Sequence, residues 1–161
     1  MPTKGSCMCG DLSYEFDGEP LLKGICHCLT CRKLTSSAYT PCILVPDPAS
    51  ATETPPPGVS FELSSKSNSK PRETTTVHET GMEIKFYGCS KCPSTLYKRA
   101  PGGFPGVLIV LAGTLDGAEG ELRAQGGLEE GFGSPQVELW VKYRLPWLQE
   151  VKSAKQCEGF E

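Results

Sequence analysis

Several features are scarce in this chain of 161 residues. Aromatic side chains make up 8% of it and hydrophobic ones 38%, both low for a domain that must bury a core. No apolar stretch approaches the ~20 residues that cross a bilayer as a helix. The longest, Val107 to Ala112, has the length of a strand. Met1 to Ser6 offers no charged segment leading into an apolar run, so secretion and membrane partners are not expected and a cytoplasmic setting is. Basic residues are scattered with no stripe or tail, which argues against a nucleic-acid surface. Helix signals are weak throughout, and the pattern offers only a single helical turn near Cys28–Thr35.

Glycine (18) and proline (14) are plentiful instead, which points to short strands joined by many turns. Leu12, Tyr14 and Phe16 alternate with polar residues and read as a strand. A second extended segment is expected from about Ala38 to Val45. Met82, Ile84 and Phe86 give another strand, Val107 to Ala112 a buried one, and Val137, Leu139, Val141 and Tyr143 a last one that Pro146 ends. The expectation is one mainly β, antiparallel domain over 1–161, without internal repeats. Five prolines between Pro46 and Gly58 exclude that stretch from a sheet interior, and Ser64 to Ser69 is similarly polar. Residues from about 46 to 73 therefore read as a Pro/Ser-rich surface insertion.

Nine cysteines stand out in a chain with so modest a core. A small core with many loops calls for a staple, and in a reducing compartment clustered cysteines serve as metal ligands more often than as disulfides. Cys7 and Cys9 form a C-x-C, and Cys89 and Cys92 form a C-x-x-C. Two close pairs at strand ends, far apart in the chain, are the layout of a tetrahedral zinc site with four thiolates. Flanking Gly5, Gly10 and Gly88 give the backbone room to bend around the ion. Cys26, Cys28 and Cys31 gather three more thiolates within six residues. Three ligands and one open position is what catalytic zinc sites use; His27 or Cys42 closing the position is the alternative. His27 lies between two ligands, so its ring is expected to point away from their metal. Cys42 reads as a small buried hydrophobe, Cys157 as an unpaired thiol and His78 as a surface histidine. With both zinc sites filled and their thiols deprotonated, the formal charge of -3 becomes about -6.

These residues resemble a known family. Gly5-Ser6-Cys7-Met8-Cys9-Gly10, Cys26-His27-Cys28-Leu29-Thr30-Cys31-Arg32-Lys33 and Cys89-Ser90-Lys91-Cys92, with the later Ala112-Gly113-Thr114-Leu115-Asp116, Trp140 and Pro146-Trp147, are similar to the glutathione-dependent formaldehyde-activating enzymes. The resemblance covers almost the whole chain. It implies a two-layer β-tent fold like that of Rab-binding nucleotide-release chaperones. It assigns a structural zinc to Cys7, Cys9, Cys89 and Cys92, and a catalytic zinc to Cys26, Cys28 and Cys31. It also implies carbon–sulfur lyase or synthase chemistry on a thiol adduct, with glutathione as co-substrate, and leaves room for a homodimer. Two departures stand out. Pro93 follows the second C-x-x-C where the family has glycine, removing an N–H that could serve a sulfur. The Pro-rich stretch also looks inserted.

The expected mechanism puts the substrate sulfur, or an aldehyde oxygen, at the open position of the Cys26/Cys28/Cys31 zinc. A three-thiolate site is soft and suits sulfur. Arg32 and Lys33 could attract an anionic peptide, or be two solvated charges on a turn. No general acid or base is evident; His27 and Tyr14 merely neighbour ligands. The rival class is a non-catalytic zinc module that binds a partner protein. A third reading keeps the chemistry but gives it a larger aromatic or polyketide acceptor.

Overall fold

The computed structural model describes residues 2–50, 60–117, 128 and 131–161. In chain order its elements are β1 (Thr3–Ser6), β2 (Leu12–Asp17), β3 (Leu22–Cys26), α1 (Leu29–Thr35), β4 (Thr40–Pro46), β5 (Ser60–Ser65), β6 (Arg72–Val77), β7 (Glu83–Gly88), β8 (Thr95–Arg99), β9 (Val107–Leu111), β10 (Val137–Leu139) and β11 (Lys155–Cys157). Three strands pair in the order β1-β2-β5, and eight in the order β11-β10-β3-β4-β9-β8-β7-β6.

The small sheet covers one face of the large one. Leu12, Tyr14 and Phe16 of β2 and Phe61 of β5 pack with Ile43, Val45, Leu108 and Val110 of the large sheet. Because side chains alternate along a strand, Cys42 and Leu44 of β4 and Ile109 and Leu111 of β9 point to the opposite face, with Cys26 and Leu139. That face carries its own apolar cluster and lies under α1. The mainly β, two-layer architecture is thus as expected.

Four local expectations are corrected. The large sheet is mixed, because β10 runs parallel to both β3 and β11. A parallel neighbour needs a long return connection, and residues 140–154 supply it. The final alternating segment stops as a strand at Leu139. Trp140 adopts a left-handed backbone conformation at φ 60°, and Val141–Tyr143 is a 3-10 turn. The helical turn near Cys28–Thr35 is a seven-residue helix, because Cys28 Sγ accepts the N–H of Cys31 at 3.3 Å and caps it. Within 46–73, Pro46 is the last residue of β4, opposite Val107. Ser60–Ser65 pairs along its length with β2, and β6 begins at Arg72. The proline-rich 51–59 lies outside the described residues.

A closing segment fastens the small sheet to the large one. After β9, a 3-10 turn at Ala112–Thr114 brings Thr114 Oγ1 to 2.9 Å from Tyr14 Oη, and Ser6 donates to Asp116 at 2.8 Å. Gly5 makes this junction possible less by bending than by being small: a Cβ there would stand 2.2 Å from the Tyr14 ring and 2.6 Å from the Thr114 carbonyl. Gly5→Ala is therefore expected to lower stability by about 1–3 kcal/mol through overpacking, read as a shifted denaturant midpoint with an unchanged slope.

Candidate metal centres

Two groups of cysteines converge among the described residues, one on each face of the large sheet. The Sγ atoms of Cys7, Cys9, Cys89 and Cys92 lie within 4.8 Å of one another, as do those of Cys26, Cys28 and Cys31. None of the nine cysteines forms a disulfide.

The four-cysteine group joins the end of β1 to the end of β7. Cys7 Sγ is 3.5 Å from Cys9 Sγ, and Cys9 Sγ is 3.7 Å from Cys89 Sγ. A tetrahedral ion with metal–sulfur bonds of about 2.3 Å has sulfur–sulfur edges of roughly 3.8 Å, and these two distances lie close to that value. Each knuckle turns its backbone N–H groups inward: Leu12 N–H reaches Cys7 Sγ at 3.3 Å, and Lys91 N–H reaches Cys89 Sγ at 3.3 Å. Gly10, at φ 71°, closes the first turn by donating to the Cys7 carbonyl at 2.9 Å. The N–H that Pro93 lacks is compensated by Ser94. Its Oγ lies 3.4 Å from Cys92 Sγ and accepts the N–H of Met8 at 2.9 Å, so one side chain bridges both knuckles. Burial works against the Cys92 thiolate, but the hydrogen bonds from Ser94 and Cys9 bring its pKa down to about 6.

The three-cysteine group is built differently. Cys26 ends β3, Cys28 caps α1 and Cys31 sits in its first turn; all three are at most 2% exposed. The two alternatives for a fourth ligand both stand apart from it. Cys42 is buried on the same face and points its thiol at the Thr40 carbonyl, 3.5 Å away. The His27 ring lies on the other side of the chain, 5.9 Å from the Tyr39 ring, with Nε2 3.9 Å from Glu138 Oε1. Burial lowers its pKa. Glu138 is itself buried and pairs with Arg144. Arg32 Nη1 donates to the Tyr143 carbonyl at 3.3 Å, and Lys33 is exposed.

The residue that sequence reasoning missed is Lys98. It lies in β8, a strand the pattern did not reveal, and it is 6% exposed. Its Nζ donates to Cys31 Sγ at 3.0 Å. A bulge sets its direction: Gly88 pairs with Thr95 and Tyr87 with Tyr97, leaving Leu96 as the extra residue. Leu96 and Tyr97 both join the core between the sheets, while Lys98, opposite Ile109 and Phe86, turns toward the cysteines. The only signal in the sequence was a lysine amid apolar residues in a short β-prone run. The Cys26 and Cys28 thiols, and then the Lys98 ammonium, hold the Cys31 pKa well below its ordinary value despite burial. Burial disfavours the ammonium, but the surrounding Cys31, Cys42 and Cys26 sulfurs outweigh it and raise the Lys98 pKa.

A narrow, largely apolar cavity of about 30 Å³ adjoins this group, with Cys26, Cys42 and Lys98 in its wall and Ile84, Phe104 and Phe160 among its apolar lining. That is room for something of the size of water. His78, expected at the surface, is 2% exposed. Its ring packs 4.8 Å from Trp140 and 5.2 Å from Phe160, and Nδ1 accepts the Thr80 N–H at 3.3 Å. Cys157 is buried in the same apolar cluster as Cys26.

A mainly β chain with two convergent cysteine groups, one of four and one of three, is a protein equipped to bind metal. The family model described as glutathione-dependent formaldehyde-activating enzyme matches residues 2–142, and the chain belongs to that family. No match to a curated protein was found. No helix among the described residues is long and apolar enough to cross a membrane.

The bridging role of Ser94 is testable. Ser94→Ala is expected to weaken metal binding at the four-cysteine site by about tenfold while leaving the fold intact, measured by competition with a chromophoric chelator.

Proposed function

We propose that this protein makes or breaks a carbon–sulfur bond in a thiol adduct, with glutathione as the thiol and a small aldehyde as its partner. Cys7, Cys9, Cys89 and Cys92 hold a structural zinc ion, and Cys26, Cys28 and Cys31 hold the catalytic one. The observation that carries this reading is a buried group of three thiols that neither the Cys42 thiol nor the His27 ring joins. A donor set of sulfur alone suits zinc, and a centre with three protein ligands leaves a position for substrate.

Zinc in this group would supply a Lewis acid able to take a sulfur or oxygen of the substrate. The chain supplies the rest. The cap of α1 fixes the Cys28 sulfur against the backbone of Cys31. Pairing of β3 with β4 and β10 holds Cys26 from the other side, and the burial of all three sulfurs keeps bulk water off them. In the synthetic direction the thiol gives up its proton, the sulfur–carbon bond forms as the carbonyl π bond opens, and the oxygen takes up a proton. The lyase direction is the reverse.

The test combines metal content with exchange kinetics. Freshly purified protein is expected to carry close to two zinc ions per chain and to accelerate interconversion of formaldehyde and glutathione with S-hydroxymethylglutathione, followed by carbon-13 exchange spectroscopy. Cys31→Ser is expected to keep the fold, lose about one zinc and abolish the acceleration. Full activity in that variant would sink the open-centre mechanism. One zinc per chain, unchanged after zinc is added back, would leave the non-catalytic binding module as the better reading.

A further inference from the structure

We propose that Lys98 is a specificity-determining residue of the three-cysteine centre: its buried ammonium, set against Cys31 Sγ, adapts the centre to an anionic fourth ligand, a thiolate, in preference to a neutral one. This rests on the reading of Cys26, Cys28 and Cys31 as an open metal centre and extends it to the charge of the group the centre accepts.

A lysine 6% exposed requires a counter-charge, and among the described residues no carboxylate forms an ion pair with Lys98. Its hydrogen bond goes to Cys31 Sγ at 3.0 Å. The groups around it are Cys26 and Cys42, which share its cavity wall, and the Phe86 ring, whose centroid is 5.9 Å from Nζ. The cysteine group is therefore its counter-charge.

Three thiolates and a divalent ion carry a net charge of about -1. Adding a fourth thiolate to a buried centre of that charge is opposed by repulsion that water cannot screen. The ammonium brings the empty centre to neutrality, so that a thiolate raises it only to -1. A neutral ligand gains little from the same charge. Lys98 reaches the centre from β8, while the ligands come from β3 and α1, so it can tune charge without taking a coordination position. Its N–H···S bond to a ligating sulfur also has the form of the outer contacts that adjust metal affinity and ligand preference.

The experiment uses the full chain loaded with cobalt(II), whose visible absorption reports coordination. Protein, Lys98→Met, Lys98→Gln and Lys98→Arg are each titrated with 2-mercaptoethanol as thiolate donor and with imidazole as neutral ligand. The four-sulfur centre is closed and contributes a constant background. Expected are a loss of thiolate affinity of about tenfold or more in Lys98→Met and Lys98→Gln, imidazole affinity within about twofold of the unaltered protein, and recovery of thiolate binding in Lys98→Arg. The glutamine variant keeps a hydrogen-bond donor without charge, and serves as the uncharged protein if the methionine variant does not fold. Equal weakening of both ligands, no weakening of either, or full thiolate binding in Lys98→Gln would overturn the inference while leaving the open centre standing. One cobalt per chain in the unaltered protein would overturn the open centre itself, and the inference with it.

Discussion

The eight-stranded sheet has two buried faces, and the alternation of side chains along β4 and β9 decides what each face does. Ile43 and Val45 with Leu108 and Val110 meet the three-stranded sheet, while Cys42 and Leu44 with Ile109 and Leu111 face the side covered by α1. A slip of one residue in either strand would exchange the faces. Both metal centres inherit their positions from this division. Cys7 and Cys89 belong to the apolar core between the sheets, and Cys26, Cys28 and Cys31 to the core under the helix. The two centres therefore do not share a wall, and each can have the surroundings its role demands.

Those surroundings differ mainly in how negative charge is managed. At the four-cysteine group, charge is met by short local donors, the backbone N–H groups of Leu12 and Lys91. Part of the group is also exposed, with Cys9 at the surface and Cys92 partly so. The three-cysteine group is buried throughout and receives a full positive charge from Lys98. Burying a lysine is unfavourable on its own, and burying three sulfurs that must ionise is unfavourable too. Each offsets the other, which accounts for a buried lysine with no carboxylate partner among the described residues.

Much of this organisation is legible from residue spacing. The paired cysteines announce themselves by short repeats, and Leu12, Tyr14 and Phe16 by alternation. Long-range pairing is what stays hidden. Ser60–Ser65 looks like polar loop because its partner, β2, lies more than forty residues earlier, and tertiary pairing overrides weak β-propensity there. The parallel alignment of β10 depends on the path of 140–154, which carries no periodic signal. Trp140 ends that strand in a left-handed conformation which a bulky residue rarely adopts, so alternation through Tyr143 misleads. Lys98 is invisible because a single bulged residue, Leu96, reverses the face on which alternation would put it. The Ala112–Asp116 segment, distinctive by resemblance alone, acquires a physical reason only in three dimensions: Thr114 and Asp116 hold Tyr14 and Ser6 beside the first cysteine knuckle.

The two cysteine groups differ in how far apart their members lie along the sequence. The four-cysteine group closes the chain between Cys9 and Cys89, whereas neighbouring members of the three-cysteine group have at most two residues between them. Loop-closure entropy grows by only about 0.6 kcal/mol for each doubling of length, but some five doublings separate these loops, so the difference comes to roughly 3 kcal/mol. A metal in the long-range group is thus coupled to folding of the whole chain, and its loss would release β1 from the end of β7. In the local group, β-sheet pairing and the cap of α1 already hold the sulfurs together. A metal bound there would add little to what the sheet and the helix already fix.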